Sequence, residues 1–291
     1  MSAPLKFATL ILCALLAGCA SPGSLEAPLP PTATSTPSLP TPTPAPYPVV
    51  ATPAPPPTPI PDSGWQSLRP GLEERVLNLL DAQGKRLERL TLLRLQPDQF
   101  TFQVNYKPQP QTLAEWQAET GALLVVNGGY FREDGDIFIP TGLSVVDGKP
   151  MGSSYGSFAG MFAVTSAGPD LRWLAEQPYD PGEPLLSALQ SFPLLIKPGG
   201  ELGFPAENED NEAARRTLVA RDRAGSFLFI VAQQGYFTLH TLSKFLAESD
   251  LELDIALNLD GGPSTGLLLS DPALEIPSFA PLPVVISVLA R

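Results

Sequence analysis

The feature that most constrains this chain is a tract from Ser21 to about Ser63 dominated by Pro, Thr, Ala and Ser, with Pro-Thr-Pro-Thr-Pro-Ala-Pro at 40–46. Proline removes the amide hydrogens that helices and sheet ladders need and biases the backbone toward extended polyproline. No core can form from such a segment, so it reads as a disordered stalk. At about 3.1 Å per residue it reaches on the order of 120 Å. Whatever folds must be made from the residues that follow.

The residues before the tract read as a leader. Lys6 supplies a basic start, and the apolar run from Phe7 to Leu16 is too short to span a bilayer as a permanent helix. Leu16-Ala17-Gly18-Cys19 then closes small residues on a cysteine, a pattern that resembles the bacterial lipobox. The expected organisation is a lipoprotein signal peptide at 1–19, a Pro/Thr-rich linker at 20–64 and a folded part at 65–291. Lipidation of Cys19 by several acyl chains gives a stable membrane anchor, which places the protein in the cell envelope, outside the cytoplasmic membrane. Ala20 and Ser21 suit an outer-membrane destination where the cell has one.

The chain has two cysteines, Cys13 and Cys19, and both lie in this leader. The folded part therefore has no disulfide, no thiol nucleophile and no cysteine zinc site. His240 is the single histidine, and no Gly-x-Ser-x-Gly elbow accompanies it. It reads as a structural or surface residue, and neither a serine–histidine esterase nor a zinc enzyme is expected. The formal net charge is -12, with no basic stripe interleaved with aromatics, which argues against a nucleic-acid partner.

From residue 65 on, short β-branched or alternating segments predominate. Strands are expected at 86–95, 100–106, 123–126, 143–146, 161–165, 194–196, 217–221, 227–232, 255–259 and 284–289. Asp147-Gly148 before Lys149 signals a hairpin. Helices are expected at 112–120 and at 238–249, where Leu239, Leu242, Phe245 and Leu246 share a face and Thr238 can cap. Strands following strands, with few helices between, predict an α+β fold with a largely antiparallel sheet core, a few flanking helices and a single domain.

Two segments carry the chemistry. In Ala256-Leu-Asn-Leu-Asp-Gly-Gly-Pro-Ser-Thr265 an apolar strand stops at Asn258 and Asp260 and meets open glycine backbone. A carboxylate there is approachable, whereas inside a sheet it would be costly to bury unpaired. Upstream, Asn127-Gly128-Gly129-Tyr130-Phe131 follows another apolar strand and sets an amide and an aromatic on glycine backbone. Arg215 and Arg216 open a further strand; because adjacent strand residues point to opposite faces, at most one faces a given site, as a rigid donor fork suited to phosphate. The acidic run 207–212 could offer oxygens to calcium, but its spacing is not that of an EF-hand and it reads as a solvated loop.

The order of these pieces, with Pro140-Thr-Gly-Leu143, Asp147-Gly-Lys149 and Gln190-Ser-Phe-Pro-Leu-Leu-Ile196 between them, resembles the phosphodiester glycosidase family over roughly Leu87 to the C-terminus. Pro263 stands where that family commonly has a third glycine, and Ala220 where glycine often follows the Arg-Thr strand. The resemblance implies hydrolysis of the sugar C1–O bond of a sugar 1-phosphodiester in surface glycan or polymer, releasing free sugar and a phosphomonoester. It implies a carboxylate at Asp260, as nucleophile or as base, and phosphate capture by Arg216. Asn127, Gly128, Gly129, Tyr130, Asn258, Gly261, Gly262, Ser264 and Thr265 are the implied substrate contacts. The partners expected are a carbohydrate phosphodiester and, through the anchor, the membrane. No cofactor is assigned, and calcium or magnesium is left open. The competing reading is a non-catalytic lipoprotein that binds exopolysaccharide or cell-wall glycan in the same cleft.

Overall fold

The computed structural model describes residues 60–291. The expected signal peptide, Cys19 and the proline-rich tract through residue 59 lie outside the described residues. Among those described, strands pair antiparallel throughout, in three main sheets and a two-stranded hairpin. The largest sheet runs Gln66–Arg69, Leu72–Leu80, Arg86–Leu95, Phe227–Ala232, Arg216–Asp222, Leu253–Asn258, Leu194–Lys197, Glu201–Leu202. A second has Leu124–Asn127 and Leu282–Ala290 at its centre, with Phe100–Gln111 and Ala273–Ile276 at its edges. A third is centred on Ser187–Ser191 and Gly160–Thr165.

Period-2 alternation decides which side chains meet. In the large sheet Val219, Phe227, Phe229, Val231 and Leu257 face inward, where they pack with Phe102, Val126, Phe162, Leu189 and Ile286 from the other two sheets. Their neighbours Leu218, Ala220, Leu228 and Ile230 point to the opposite face, which helix Leu239–Glu248 covers with Leu242 and Leu246. Helix Leu113–Thr120 does the same for the second sheet, setting Leu113 and Trp116 on Val125 and Val285. Both helices start with a capping box, on Thr112 and Thr238, and the first ends at Gly121 in the left-handed conformation.

The mostly antiparallel β-architecture with two helices agrees with the sequence expectation, and so does the hairpin: Val146 pairs with Lys149 across Asp147 and Gly148, both at positive φ. Leu72–Leu80 was not expected because Glu73, Glu74 and Arg75 break its apolar alternation. Leu267–Ser270, an unbroken leucine run, has no period that separates strand from helix. The N-terminal boundary also shifts. Asp62 bridges to Leu77 and its carboxylate meets the Arg75 guanidinium at 2.6 Å, so residues 60–64, assigned by sequence to the linker, belong to the folded edge.

Candidate active site

Strands Leu124–Asn127 and Leu253–Asn258 belong to different sheets, yet their C-terminal ends meet. Asn127 is fully buried, and its amide nitrogen donates to the Asp260 carbonyl at 2.8 Å. Its oxygen accepts from the Gly266 amide at 3.0 Å, and the Asp260 amide donates to the Gly128 carbonyl at 3.0 Å. The two glycine-flanked corners are therefore sewn together across the sheets. Gly128 has no room for a side chain, since a Cβ would lie 2.9 Å from the Val284 carbonyl oxygen; at Gly261 it would lie 2.8 Å from that of Arg215. The glycines let two backbones approach closely.

Asp260, Gly261, Gly262 and Pro263 form one wall of a cavity of about 750 Å³. Tyr130 and Arg216 line the same cavity. Burial raises the Asp260 carboxyl above the usual aspartate range, while the Ser264 hydroxyl and the Gly261 amide pull it back. The Gly261 amide donates to the Asp260 carboxylate at 2.9 Å. Arg216 is 8% exposed. Its Nη2 donates to the Glu212 carbonyl at 2.6 Å, and its Nε has no partner. Among the described residues no carboxylate forms an ion pair with it. A cation held this way, desolvated but not neutralised, is suited to an anionic ligand.

Arg215 points the other way, as strand alternation requires: it donates to the Pro277 carbonyl at 3.0 Å and lies over the Phe279 ring. Tyr130 stacks obliquely on Phe192, with ring centroids 4.8 Å apart. Its hydroxyl accepts from the Asn258 amide at 2.8 Å. Burial, then the Asp260 charge, pushes the Tyr130 phenol up to about 12.

Of the residues selected from sequence, Asp260, Arg216, Tyr130, Gly261 and Gly262 thus line one cavity. Asn127, Gly128 and Gly129 lie buried behind it, Gly129 beside the Gln190 carbonyl. Asn258 is also fully buried and reaches the cavity through two residues that line it, the Tyr130 hydroxyl and the Phe192 carbonyl. Ser264 and Thr265 are buried on the turn after Asp260. His240 makes a structural bond, Nδ1 to the Phe204 carbonyl at 2.9 Å, as expected.

Several lining residues escaped the sequence reading. Phe192 and Phe158 supply aromatic surface, and Lys197 packs over Trp173. Phe192 sits in the Gln190–Ile196 block, where its neighbour Pro193 was the available signal; nothing local distinguishes Phe158. The acidic run is more than a solvated loop: Asp210 and Glu212 line the cavity, and the Glu209 carboxylate accepts from the His240 amide at 2.9 Å. Among the described residues no group of three or more histidine, aspartate or glutamate side chains gathers as a metal site.

A largely antiparallel β-fold thus brings a carboxylate and an unneutralised guanidinium to one cleft, groups suited to an anionic ligand. Residues 120–288 match the family model described as phosphodiester glycosidase. The chain belongs to that family. No curated protein matches its sequence. Among solved structures it is similar to the catalytic domain of zebrafish N-acetylglucosamine-1-phosphodiester alpha-N-acetylglucosaminidase, described as auto-inhibited by its pro-peptide. That similarity has a TM-score of 0.59 and 20% identity, over 78% of this chain and 86% of that one. A Synechocystis protein (TM-score 0.54, 14% identity, 76% of this chain and 62% of that) shares the fold. So does a protein of Burkholderia pseudomallei K96243 (TM-score 0.51, 12% identity, 69% and 74%).

Proposed function

We propose that the protein is an envelope-anchored hydrolase that cleaves the sugar C1–O bond of sugar 1-phosphodiesters in surface glycan or polymer. The observation that carries the reading is the placement of Asp260 and Arg216 on one cavity, with the guanidinium free of a carboxylate partner among the described residues. A departing phosphomonoester is a weak base and needs far less protonation than an alkoxide, so a histidine acid is dispensable. The reaction instead requires a carboxylate at the developing oxocarbenium centre and donors on the departing anion. Asp260 fills the first role, as nucleophile or as base toward water, and Arg216 the second. Tyr130 and Phe192 offer ring faces to the sugar. Asn127 and Asn258 act by holding Asp260 and Tyr130, with Gly128, Gly129, Ser264 and Thr265 shaping the backbone around them. The lipobox at Cys19 and the proline-rich tract support a location outside the cytoplasmic membrane, with the domain held out toward its substrate.

The test is release of free sugar and a phosphomonoester from a sugar 1-phosphodiester, read by coupling to a phosphatase. Wild type is expected to turn over; Asp260→Asn loses at least about 10³-fold and Arg216→Gln about 10²–10³-fold, with unchanged circular dichroism. Glycan binding without turnover by wild type points to the binding-module reading. Full activity in Asp260→Asn removes that residue from the chemistry.

A further inference from the structure

The Asn258 side chain determines more than where Tyr130 sits. Its amide nitrogen faces three oxygens: the Leu259 carbonyl at 2.8 Å, the Phe192 carbonyl at 3.1 Å and the Tyr130 hydroxyl at 2.8 Å. The two carbonyls accept only, so they fix which end of the amide points this way; turned over, the Asn258 oxygen would confront both. The amide carries two hydrogens for these three oxygens, and its two shortest contacts, both 2.8 Å, are to the Leu259 carbonyl and the Tyr130 hydroxyl, so the Tyr130 oxygen is met by an N–H and acts as acceptor. A phenol has one hydrogen of its own, and it cannot lie along the direction already occupied by the Asn258 hydrogen. Among the described residues no protein oxygen accepts it, while the hydroxyl belongs to a side chain that lines the cavity. From this geometry we infer that Tyr130 is a hydrogen-bond donor held toward the ligand, and that its acceptor is an oxygen of the departing phosphate.

The choice of acceptor follows from charge. On the reading proposed above, the sugar ring gains positive character as the C1–O bond breaks, while the phosphate oxygens gain negative charge. A neutral donor helps only on the second side. Arg216 has Nη2 engaged with the Glu212 carbonyl, which leaves part of its fork for the anion and room for another donor. The Asp260 and Arg216 charges act on the phenol in opposite senses, the carboxylate favouring its protonated form and the guanidinium opposing it. With the phenol pushed up to about 12, the hydrogen stays on oxygen throughout the working range, so the residue donates a hydrogen bond without transferring a proton. Asn258 is a positioning residue, acting through Tyr130.

The experiment uses the purified full chain. Tyr130→Phe keeps the ring on Phe192 and removes only the hydroxyl; its melting curve is expected to stay close to wild type, because Asn258 retains two carbonyl acceptors. Calorimetric titration with inorganic phosphate should show affinity weakened roughly tenfold. In turnover of a sugar 1-phosphodiester, kcat should fall about 10²-fold with little change in KM. Replacing Tyr130 by a difluorotyrosine of lower phenol pKa should restore activity at neutral pH and add an alkaline limb absent from wild type. Unchanged phosphate affinity, a wild type that does not bind phosphate, or a Tyr130→Phe effect confined to KM overturns the inference. Weakened phosphate binding with no turnover by wild type keeps the donor and rejects the glycosidase reaction.

Discussion

Replacing Asn127 by alanine tests whether the seam between the two corners, and not a contact with substrate, is that residue's task. The substitution strips two buried backbone groups of partners, the Asp260 carbonyl and the Gly266 amide. Each unsatisfied buried group costs about 1–3 kcal/mol, so a loss of about 3 kcal/mol is expected in urea unfolding. For a folded part of this size that corresponds to roughly 6–12 °C in Tm. The Asp260 amide keeps its bond to the Gly128 carbonyl, so the corner loosens without separating, and hydrolysis falls through misplacement of the carboxylate. Asn127→Asp adds a signature. Its acid form can still donate to the Asp260 carbonyl, but its ionised form turns negative oxygen against the carbonyls of Asp260 and Gly128, which the amide nitrogen meets at 2.8 and 3.3 Å. The folded state raises that carboxyl's pKa, so its support is present below the unfolded value near 4 and is lost as pH rises through the folded one. If Asn127→Ala unfolds within about 0.5 kcal/mol of wild type and still loses activity, the seam argument is wrong and the side chain serves the substrate.

Activity on a sugar 1-phosphodiester should lose its acid limb at a pH above the usual aspartate range, because burial raises the Asp260 carboxyl and the ionised form is needed. A kcat/KM profile with its acid midpoint at or below the ordinary aspartate value contradicts this. The same burial makes ionised Asp260 a cost to the fold that grows as pH rises through its folded pKa, so Asp260→Asn should match or exceed wild type in Tm at neutral pH. Glu88 is fully buried and accepts four backbone amides, those of Arg89, Gln233 and Gln234 on one oxygen and Tyr236 on the other. Glu88→Gln sets an NH₂ against an N–H and should cost about 3 kcal/mol in urea unfolding; a change under about 0.5 kcal/mol refutes the arrangement.

Much of the fold was legible because the central strands of the large sheet are packed on both faces and so read as dense β-branched or leucine runs, as in Phe227–Ala232. The capping threonines stand directly before their helices and could be read locally. The hairpin Phe131–Asp134 with Ile137–Pro140 buries only Pro140, so burial imposes no period on its sequence. In the site, Asp260 and Arg216 were legible because charge at an apolar strand end needs a reason. Asn127 was legible as important but not in its role, since nothing local says that its amide reaches a carbonyl 133 positions away. Phe158 and Lys197 come to the cavity by tertiary placement alone.

The cavity is stitched from three sheets, with Tyr130 following a strand of one, Arg216 on another, and Phe192 following a strand of the third. No contiguous fragment holds the candidate site, and the pairings that create it join distant parts of the chain, which are slow to find one another during folding. Catalysis should accordingly be the last property to appear on refolding from denaturant and the first to vanish when any one sheet frays. Turnover would then report the integrity of the whole assembly more strictly than any spectroscopic probe of a single element.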